Sequence, residues 1–253
     1  MSESPYAEIG VFGGSGFYSL LQDVEEIALE TPYGPPSDSI FLADHAGRRV
    51  AFLPRHGRGH TIPPHRINYR ANVWAMKRLG VRSLICPGAA GSLQSHIEPE
   101  HFVVCDQYVD RTTDRIDTFD EGSSPSSANA GGEPYCPALR EIAIRTIRDH
   151  DVTVHEKGTV VVIQGPRFSS KAESRWFTES GWDVVSMTAY PENSLAQELG
   201  IASVGISLVT DYDSGLVVLG DVPPVSTRDA LQVFLKNSGR IKSIVLDLIA
   251  LCP

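Results

Sequence analysis

The amino-acid sequence predicts an α/β fold in which helices cover both faces of a mixed β-sheet. Short apolar segments, typical of buried strands, alternate along the chain with segments whose apolar residues recur at helical spacing. Glycine-rich or polar clusters follow several of the predicted strands directly, where a strand is expected to turn into a loop. The length of 253 residues, with no linker-like interruption, fits a single domain over residues 1–253.

Each element is assigned from its periodicity and from the residues at its ends. The predicted strands share a short apolar core: Glu8–Phe12, Phe41–Leu42, Arg49–Leu53, Val81–Cys86, Phe102–Tyr108, Thr159–Gln164, Asp183–Met187 and Ile201–Thr210. The predicted helices share an apolar face: Asn68–Leu79, Leu139–Asp149, Ser170–Ser180, Glu192–Leu199 and Thr227–Ala250, the last as one helix or a bent pair. Ala46–Gly47 is predicted as a hairpin turn, Gly80 as a helix C-cap and Ser123–Glu133 as a mobile loop.

Composition and charge exclude several classes of partner and site. The formal net charge of −9 argues against nucleic acid, which needs a basic surface, but still allows a local site for a small anion. The four cysteines form no C-x-x-C pair, so neither a metal site nor a disulfide framework is indicated. The start MSESPYAEIG lacks the pattern of a signal peptide, and no apolar run approaches the length of a membrane span. We therefore expect a cytoplasmic protein with free thiols and no membrane partner.

Candidate chemistry concentrates in clusters that follow predicted strands, namely GGSG, PGAAGS, GPRFS, MT and TDYD. Ligands of open α/β sheets bind at the carboxyl ends of the strands, so the recurrence indicates one shared site. GGSG at 13–16 can turn backbone N–H groups toward an anion, although by itself it is equally compatible with a plain turn.

Two further clusters favour a site for an anion and a planar ligand. PRHGRGH at 54–60 contains two Arg and two His, and Arg can bind phosphate through two hydrogen bonds. The alternatives for this segment are a solvated basic loop and a metal site of His56, His60 and His65, the latter disfavoured because no carboxylate lies nearby in sequence. Asp211 and Asp213 can bind a group that offers N–H donors or act as a general acid, or can belong to a capping turn.

Longer motifs resemble a known family. GGSGFY, TPYGPPSD, FLPRHGRGHTIPPHRINYRAN, DQYVDRT, EPYCP, VVVIQGPRFSSKAES, MTAYPE and LVTDYD occur in this order from about Val11 to Asp213. Together they resemble the 5'-methylthioadenosine phosphorylase branch of the trimeric purine nucleoside phosphorylases. The resemblance implies a single α/β domain with a mixed, barrel-like central sheet flanked by helices. It also implies a homotrimer with active sites near the subunit interfaces.

The resemblance implies a role for each matching residue. Phosphate would be bound by Ser15, Arg55, His56, Gly88, Ala89 and Thr188. The nucleoside would be bound by Phe168 and Ser169 near the base, Met187 beneath the ribose, Asp211 and Asp213 at the purine edge, and Thr227 and Leu231 in the helix that lines the 5' pocket. Asp211 and Asp213 would also be the catalytic pair, and which of them donates a proton stays open at this point.

The implied activity is phosphorolysis of 5'-methylthioadenosine, or of a related 5'-modified adenine nucleoside, to adenine and the sugar 1-phosphate in purine and methionine salvage. Phosphate would attack C1' of an oxocarbenium-like sugar while an aspartic acid bonds N7 of the leaving purine. No metal or organic cofactor is implied, because inorganic phosphate is a co-substrate. A carboxylate accepts from the 6-amino group, so the Asp pair favours adenine over 6-oxopurine nucleosides.

Three positions depart from the family pattern. Ala128 stands about where a His normally covers the 5' substituent, Gly88 stands where a Thr is usual, and Thr227 stands where an apolar residue is usual. The first and third weaken the expectation of strict methylthio preference. They leave open phosphorylases of adenosine, 5'-halo-5'-deoxyadenosine or 5'-methylthioinosine. In other classes, Gly88 and Ala128 also permit an impaired homologue that only binds nucleosides, and a nucleoside hydrolase, which would not need the phosphate site, is a further alternative.

Overall fold

The computed structural model describes residues 6–13, 23–122, 132–214, 216 and 227–253, with the backbone alone for 227–231. The strands are β1 Ile9–Gly13, β2 Glu25–Ile27, β3 Ile40–His45, β4 Arg48–Pro54, β5 Ser83–Ser92, β6 Phe102–Val104, β7 Gln107–Arg111, β8 Val154–His155, β9 Thr159–Ile163, β10 Val184–Ser186 and β11 Ala202–Tyr212. The helices are α1 Tyr69–Arg78, α2 Pro137–Asp149, α3 Lys171–Glu179, α4 Ala189–Glu198, α5 Thr227–Lys236 and α6 Ser238–Leu251. Every helix in these ranges is too short or too polar to be a membrane span.

All eleven strands join one mixed sheet, which confirms the predicted fold class. Its main path runs in the order β2-β3-β4-β1-β5-β10-β9-β7, with β11, β6 and β8 branching from β5. The long strand β5 makes this branching possible, because Ser83–Ile85 pairs in parallel with β1 while Gly91–Ser92 pairs antiparallel with β10. Strand β11 runs parallel to β5 along its whole length. Over the described strands the sheet stays open rather than closing into a barrel.

Helices cover both faces of the sheet, as consecutive residues of β5 demonstrate. Ile85 belongs to a buried cluster with apolar residues of α2 and α6, whereas Leu84 belongs to a second cluster with residues of α1 and α4. Neighbouring side chains of a strand point to opposite faces, so burial of both requires a layer of helices on each side. The sheet therefore has apolar cores above and below it, and polar chemistry is left to the strand ends.

Local sequence signals account for several element boundaries. The Asn68 side chain accepts a hydrogen bond from the Ala71 amide at 3.2 Å and caps α1. Ser170 and Glu173 form a reciprocal capping box at the start of α3. The turn between β3 and β4 places Ala46 at φ 49° and Gly47 at φ 75°, the left-handed geometry that two-residue hairpins favour.

Three predicted strand boundaries were wrong, and two short strands, β2 and β8, were not predicted. Strand β5 continues through PGAAGS instead of ending before it, because β11 and β10 supply hydrogen-bond partners there. The predicted strand Phe102–Tyr108 is divided into β6 and β7, which pair with different neighbours. Strand β11 extends to Tyr212 instead of ending at Thr210. The C-terminal segment is the bent pair α5 and α6, one of the two predicted forms. Of the predicted loop Ser123–Glu133, residues 123–131 lie outside the described residues.

Candidate active site

Three separate segments that carry residues expected to bind phosphate line one cavity. Its volume is about 400 Å³, which includes the solvent-filled space at its opening. Arg55 follows the end of β4, Gly88 and Ala89 come from the middle of β5, and Thr188 immediately precedes α4. The sheet brings them together because β4 and β5 both pair in parallel with β1, and β10, which leads to Thr188, pairs with β5. Glu192 of α4 lines the same cavity.

Arg55 is held in place by a buried carboxylate and a backbone carbonyl. Its exposed fraction is 4%, and that of Glu192 is 2%. Nη2 donates to Glu192 Oε2 at 3.0 Å, and Nη1 donates to the Pro87 carbonyl at 2.8 Å. Nε also lies 2.6 Å from Oε1, an ion-pair contact that is not aligned as a hydrogen bond. Burial raises the pKa of Glu192, and the Arg55 guanidinium acts in the opposite direction.

His56 follows Arg55 but is not among the described residues that line the cavity, and its ring is neutral with a defined tautomer. Its Nδ1 lies 2.9 Å from the Ile62 carbonyl, which can only accept, so Nδ1 carries the proton and Nε2 is an acceptor. Burial lowers the pKa of His56 to about 4, and the neighbouring Arg55 and His60 charges add to this effect. A neutral His56 can therefore accept a hydrogen bond from a protonated oxygen of an anion near Arg55.

Met187 is positioned by the turn that follows β9. Gly165 in this turn has φ 65°, and a Cβ at this residue would lie 2.7 Å from Met187 Sδ. Only glycine satisfies both the left-handed backbone and the close approach of the thioether. The turn and Met187 are consequently packed together beside Thr188.

Asp211 and Asp213 lie close together at the end of β11. The pairing of β11 with β5 shifts register between Val209 and Asp211, a local irregularity that redirects the following side chains. Thr210 Oγ1 donates to Asp211 Oδ1 at 2.6 Å. Burial raises the pKa of Asp211 to about 6, and the nearby charge of Asp213 adds to this rise. Burial also raises the pKa of Asp213, which is 3% exposed.

The loop between β9 and α3 supplies a partner for the second aspartate. Ser169 is buried, and its hydroxyl donates to Asp213 Oδ2 at 2.5 Å. Phe168 is half-buried, and its carbonyl accepts from Arg167, which is itself paired with Glu173 of α3. The loop is thus anchored to the N-terminal turn of α3, and Ser169 joins it to β11.

Strand β5 connects the surroundings of Arg55 with those of Asp211. A Cβ at Gly91 would lie 3.3 Å from Asp211 Oδ2 and 3.2 Å from Val185 Cγ1, so the absence of a side chain lets the carboxyl approach the strand. Gly88, beside Arg55, lies three residues earlier on the same strand, and the rise per strand residue puts the two glycines about 10 Å apart. A Cβ at Gly88 would lie 3.9 Å from Arg55 Nη1, an ordinary contact, so space alone does not require glycine there.

Several expected site residues lie outside the described residues. These are Ser15 and Ala128, together with the side chains of Thr227 and Leu231, whose backbones lie in the first half of α5. Their expected contacts with phosphate and with the 5' substituent stay predictions.

Comparison with known proteins identifies the family. The model of the Phosphorylase superfamily matches residues 8–250. A purine nucleoside phosphorylase of Streptomyces coelicolor is 46% identical over all of this chain and 92% of its own length. An S-methyl-5'-thioadenosine phosphorylase of Thermofilum pendens is 44% identical over 97% of this chain and 92% of its own length. The chain belongs to the phosphorylase superfamily. Within it, these relatives confirm the methylthioadenosine phosphorylase branch of the purine nucleoside phosphorylases.

The structural comparison agrees with this assignment to the phosphorylases. A methylthioadenosine phosphorylase of Schistosoma mansoni in complex with adenine superimposes with a TM-score of 0.88 at 36% identity. The match covers 97% of this chain and 91% of that one. The fold is therefore that of the superfamily.

The metal site that the histidines of this phosphorylase allowed as an alternative has no support. The rings of His56 and His60 stack with centroids 4.4 Å apart, and Nδ1 of His56 is used by a carbonyl. Across the described ranges, no group of three or more His, Cys, Asp or Glu side chains is arranged to hold a metal ion.

Sequence reasoning missed Glu192 and Arg115. Glu192 was assigned only as the first residue of a predicted helix, yet it is the buried partner of the Arg55 guanidinium. Arg115, in the segment after β7, donates to backbone carbonyls of Gln164, Met187 and Tyr190. One signal for Glu192 was available, since a charged residue in a helix with buried neighbours such as Leu195 requires a buried counter-charge.

Proposed function

We propose that the protein is a pentosyltransferase that cleaves 5'-methylthioadenosine, or a related 5'-modified adenine nucleoside, with inorganic phosphate. The products would be adenine and the sugar 1-phosphate. The observation that carries the proposal is the convergence of Arg55, Gly88, Ala89 and Thr188 on one cavity, since these are the described residues, apart from His56, for which a phosphate role is expected. Relatives named as S-methyl-5'-thioadenosine phosphorylases support the choice of nucleoside.

In the proposed reaction, phosphate binds to Arg55 and accepts hydrogen bonds at the backbone of Gly88 and Ala89 and at Thr188. A phosphate oxygen forms a bond to C1' as the bond from C1' to N9 breaks, and the bonding electrons pass to the purine. Met187 would lie beneath the ribose, with Phe168 and Ser169 near the base. No cofactor is needed, because phosphate is both nucleophile and the charge partner of the cationic sugar.

The geometry favours Asp211 as the proton donor to N7 and Asp213 as the acceptor from the 6-amino group. Asp213 is almost fully buried and accepts from the Ser169 hydroxyl, which favours its ionised form. Asp211 is less buried, and its pKa of about 6 allows a proton to be held close to neutral pH. A general acid works best when its pKa lies near the working pH.

The experiment that tests the function is adenine release from 5'-methylthioadenosine with and without inorganic phosphate. We expect release that depends strictly on phosphate, whereas equal release in both conditions would identify a hydrolase. Asp213→Asn should lower kcat/KM for adenine nucleosides relative to inosine-type nucleosides by roughly 10- to 100-fold. An asparagine amide can donate to a 6-oxo oxygen whereas the carboxylate can only accept, and a polar mismatch of this kind costs about 1–3 kcal/mol. An unchanged ratio would contradict the proposed base recognition.

A second candidate stays close to the first: a purine nucleoside phosphorylase acting on adenosine, 5'-halo-5'-deoxyadenosine or 5'-methylthioinosine. The Streptomyces coelicolor relative carries the broader name, and Ala128 and Thr227 alter the positions expected around the 5' group. Measuring kcat/KM for these nucleosides and for 5'-methylthioadenosine discriminates between the two candidate functions. The nucleoside with the highest kcat/KM identifies the preferred substrate class.

We also propose a homotrimer in the cytosol, with no nucleic-acid or membrane partner. The assembly is inferred from the resemblance alone, and the compartment from four cysteines that are all free thiols. Light scattering after size-exclusion chromatography tests the assembly, since a trimer has a mass three times the 27.5 kDa of the chain.

A further inference from the structure

A single guanidinium joins the backbone segments that surround Met187. Arg115 Nη2 donates to the carbonyls of Gln164 and Met187, each at 2.9 Å, and Nη1 donates to the Tyr190 carbonyl. Its Nε donates to the Gln164 side-chain oxygen at 3.2 Å. One side chain thereby links the end of β9, the end of β10 and the start of α4.

The topology explains why these carbonyls need an external donor. Strands β7, β9 and β10 are parallel neighbours, so their carboxyl ends meet at one edge of the sheet. Where β9 and β10 leave the sheet, the ladder no longer supplies N–H partners, and an unpaired buried carbonyl is costly. Arg115 lies four residues beyond the end of β7, and this places its side chain across the ends of the other two strands.

Each carbonyl that Arg115 binds belongs to a segment of the proposed site. Met187 and Thr188 are the expected ribose and phosphate residues, and the Gln164 carbonyl precedes Gly165, the turn against which Met187 packs. Tyr190 leads into Glu192, the partner of Arg55. We infer that Arg115 is a positioning residue that sets Met187 and Thr188 for reaction without touching the substrate itself. This inference rests on the proposed function.

The chemistry of this position calls for arginine rather than lysine. The planar fork presents five N–H donors in fixed directions, and here they reach acceptors on three backbone segments and on the Tyr69 hydroxyl at 3.2 Å. The guanidinium also stacks over the Tyr69 ring, 5.1 Å from its centroid. A lysine has three donors around one atom and can reach only part of this set.

Arg115 also adds positive charge to the surroundings of the cavity. Among the described residues it has no carboxylate within ion-pairing distance, in contrast to Arg55, and the Asp110 and Glu192 carboxylates act on it only from farther away. Its field reaches Glu192, where it favours the ionised form. Loss of Arg115 should therefore weaken binding of a phosphate anion in addition to disturbing the geometry.

The test compares Arg115→Ala with Arg48→Ala in the full-length protein. Arg48 is a matched control, because it also donates to backbone carbonyls, those of Cys252 at 2.8 Å and Pro253 at 3.0 Å. It lies at the start of β4, at the opposite end of the strand from Arg55.

We expect Arg115→Ala to lower kcat/KM roughly 10- to 100-fold and to raise KM for phosphate, as loss of supporting hydrogen bonds does elsewhere. Arg48→Ala should lower the melting temperature while leaving kcat/KM within about twofold of wild type.

Two further measurements separate positioning from a general loss of structure. Added methylguanidinium, well below denaturing concentrations, should restore part of the activity of Arg115→Ala and none of any activity that Arg48→Ala has lost. Arg115→Lys should keep an intermediate kcat/KM, and it decides the matter if Arg115→Ala fails to fold. Wild-type kinetics in Arg115→Lys, or a loss in Arg115→Ala that methylguanidinium does not restore, overturns the inference.

Failure of the inference can be told apart from failure of the proposed function. If wild-type protein releases no adenine in the presence of phosphate, the proposed function is wrong. The rise in melting temperature on adding inorganic phosphate then decides the role of Arg115, because it needs no turnover. A smaller rise in Arg115→Ala than in wild type and Arg48→Ala supports the inference, and equal rises overturn it.

Discussion

Two carboxyl groups of the proposed site are shielded from solvent but have different neighbours. Glu192 lines the cavity and faces the Arg55 guanidinium, which opposes the effect of burial on its pKa. Asp211, which approaches β5 at Gly91, has a hydroxyl donor from Thr210 and a second carboxyl nearby, and burial raises its pKa to about 6. Burial alone therefore does not decide whether a carboxyl is a fixed charge or a proton carrier, and the neighbouring groups do.

This contrast suits the two tasks of a nucleoside phosphorylase. An anion site needs a cation whose position is fixed, and the Glu192 carboxylate together with the Pro87 carbonyl fixes Arg55. A leaving purine needs a group that can hold and give up a proton near neutral pH, and Asp211 has that property. Strand β5 keeps the two environments apart, with Gly88 beside one and Gly91 beside the other.

The largest effect is expected from removing the charge of Glu192. Glu192→Gln keeps the shape of the side chain but leaves Arg55 buried without its counter-charge. Breaking a buried ion pair in this way costs about 3–5 kcal/mol of unfolding free energy. Phosphate should raise the melting temperature of Glu192→Gln more than that of wild type, because the anion supplies the missing negative charge.

The matched control for Glu192→Gln is Glu198→Gln on the same helix. Glu198 accepts from Thr118 Oγ1 and the Phe119 amide, both at 3.0 Å, and has no described cationic partner. We expect Glu198→Gln to lose about 1 kcal/mol of unfolding free energy, and phosphate should raise its melting temperature by the same amount as in wild type. Equal losses in the two variants, measured by urea unfolding, would mean that the Arg55 pair has no special role.

Removal of the cation should have the next largest effect. Arg55→Ala should raise KM for phosphate about 100-fold, near 3 kcal/mol, and should change KM for the nucleoside much less. Arg58→Ala is the control, since Arg58 lies in the same loop but is exposed and paired with Glu26. Initial rates with each substrate varied in turn give the comparison, and a larger change in the nucleoside KM would remove Arg55 from the phosphate site.

Sequence patterns predicted the parts of this contrast that depend on local order. Arg55 follows a strand, and Asp211 lies one residue before the end of another, so both could be recognised as ligand-binding residues at strand ends. The pairing of Arg55 with Glu192 joins residues 137 positions apart, and no local periodicity reports such a contact.

Arg115 was missed for a related reason. Its partners are backbone carbonyls, which every residue has, so no side-chain type in the sequence marks them. The extension of β5 through PGAAGS was likewise missed, because glycine and alanine have low strand propensity and only pairing with β11 and β10 makes this segment a strand. The predictable part of the site is therefore set by local sequence, and the rest by contacts between distant segments.

The smallest of these effects concerns the proton-carrying end and is best seen as a pH dependence. The pKa of Asp211 is raised from 3.8 to about 6 in the folded protein, so between those values the folded state holds a proton that the unfolded chain has lost. The unfolding free energy of wild type should consequently fall as pH rises through this range, and the full loss of unfolding free energy is reached above about pH 6. Asp211→Asn does not ionise, and its Oδ1 can still accept from Thr210. We expect the unfolding free energy of this variant to exceed that of wild type by about 2 kcal/mol at pH 8 and to equal it near pH 4. The difference at pH 8 is smaller than the pKa shift alone implies, because the carboxyl group is partly exposed. Urea unfolding at the two pH values measures the difference. In the control Asp44→Asn, which alters an exposed acid paired with Arg49, the unfolding free energy should change by less than about 1 kcal/mol at either pH.

The same Asp211→Asn variant should lose phosphorolysis of adenine nucleosides. Greater stability at pH 8 together with lower activity would identify Asp211 as a group whose burial costs stability and serves proton donation. A stability difference that does not change between pH 4 and pH 8 would instead mean that the pKa of Asp211 is the same in the folded and the unfolded protein, and the contrast with Glu192 would disappear.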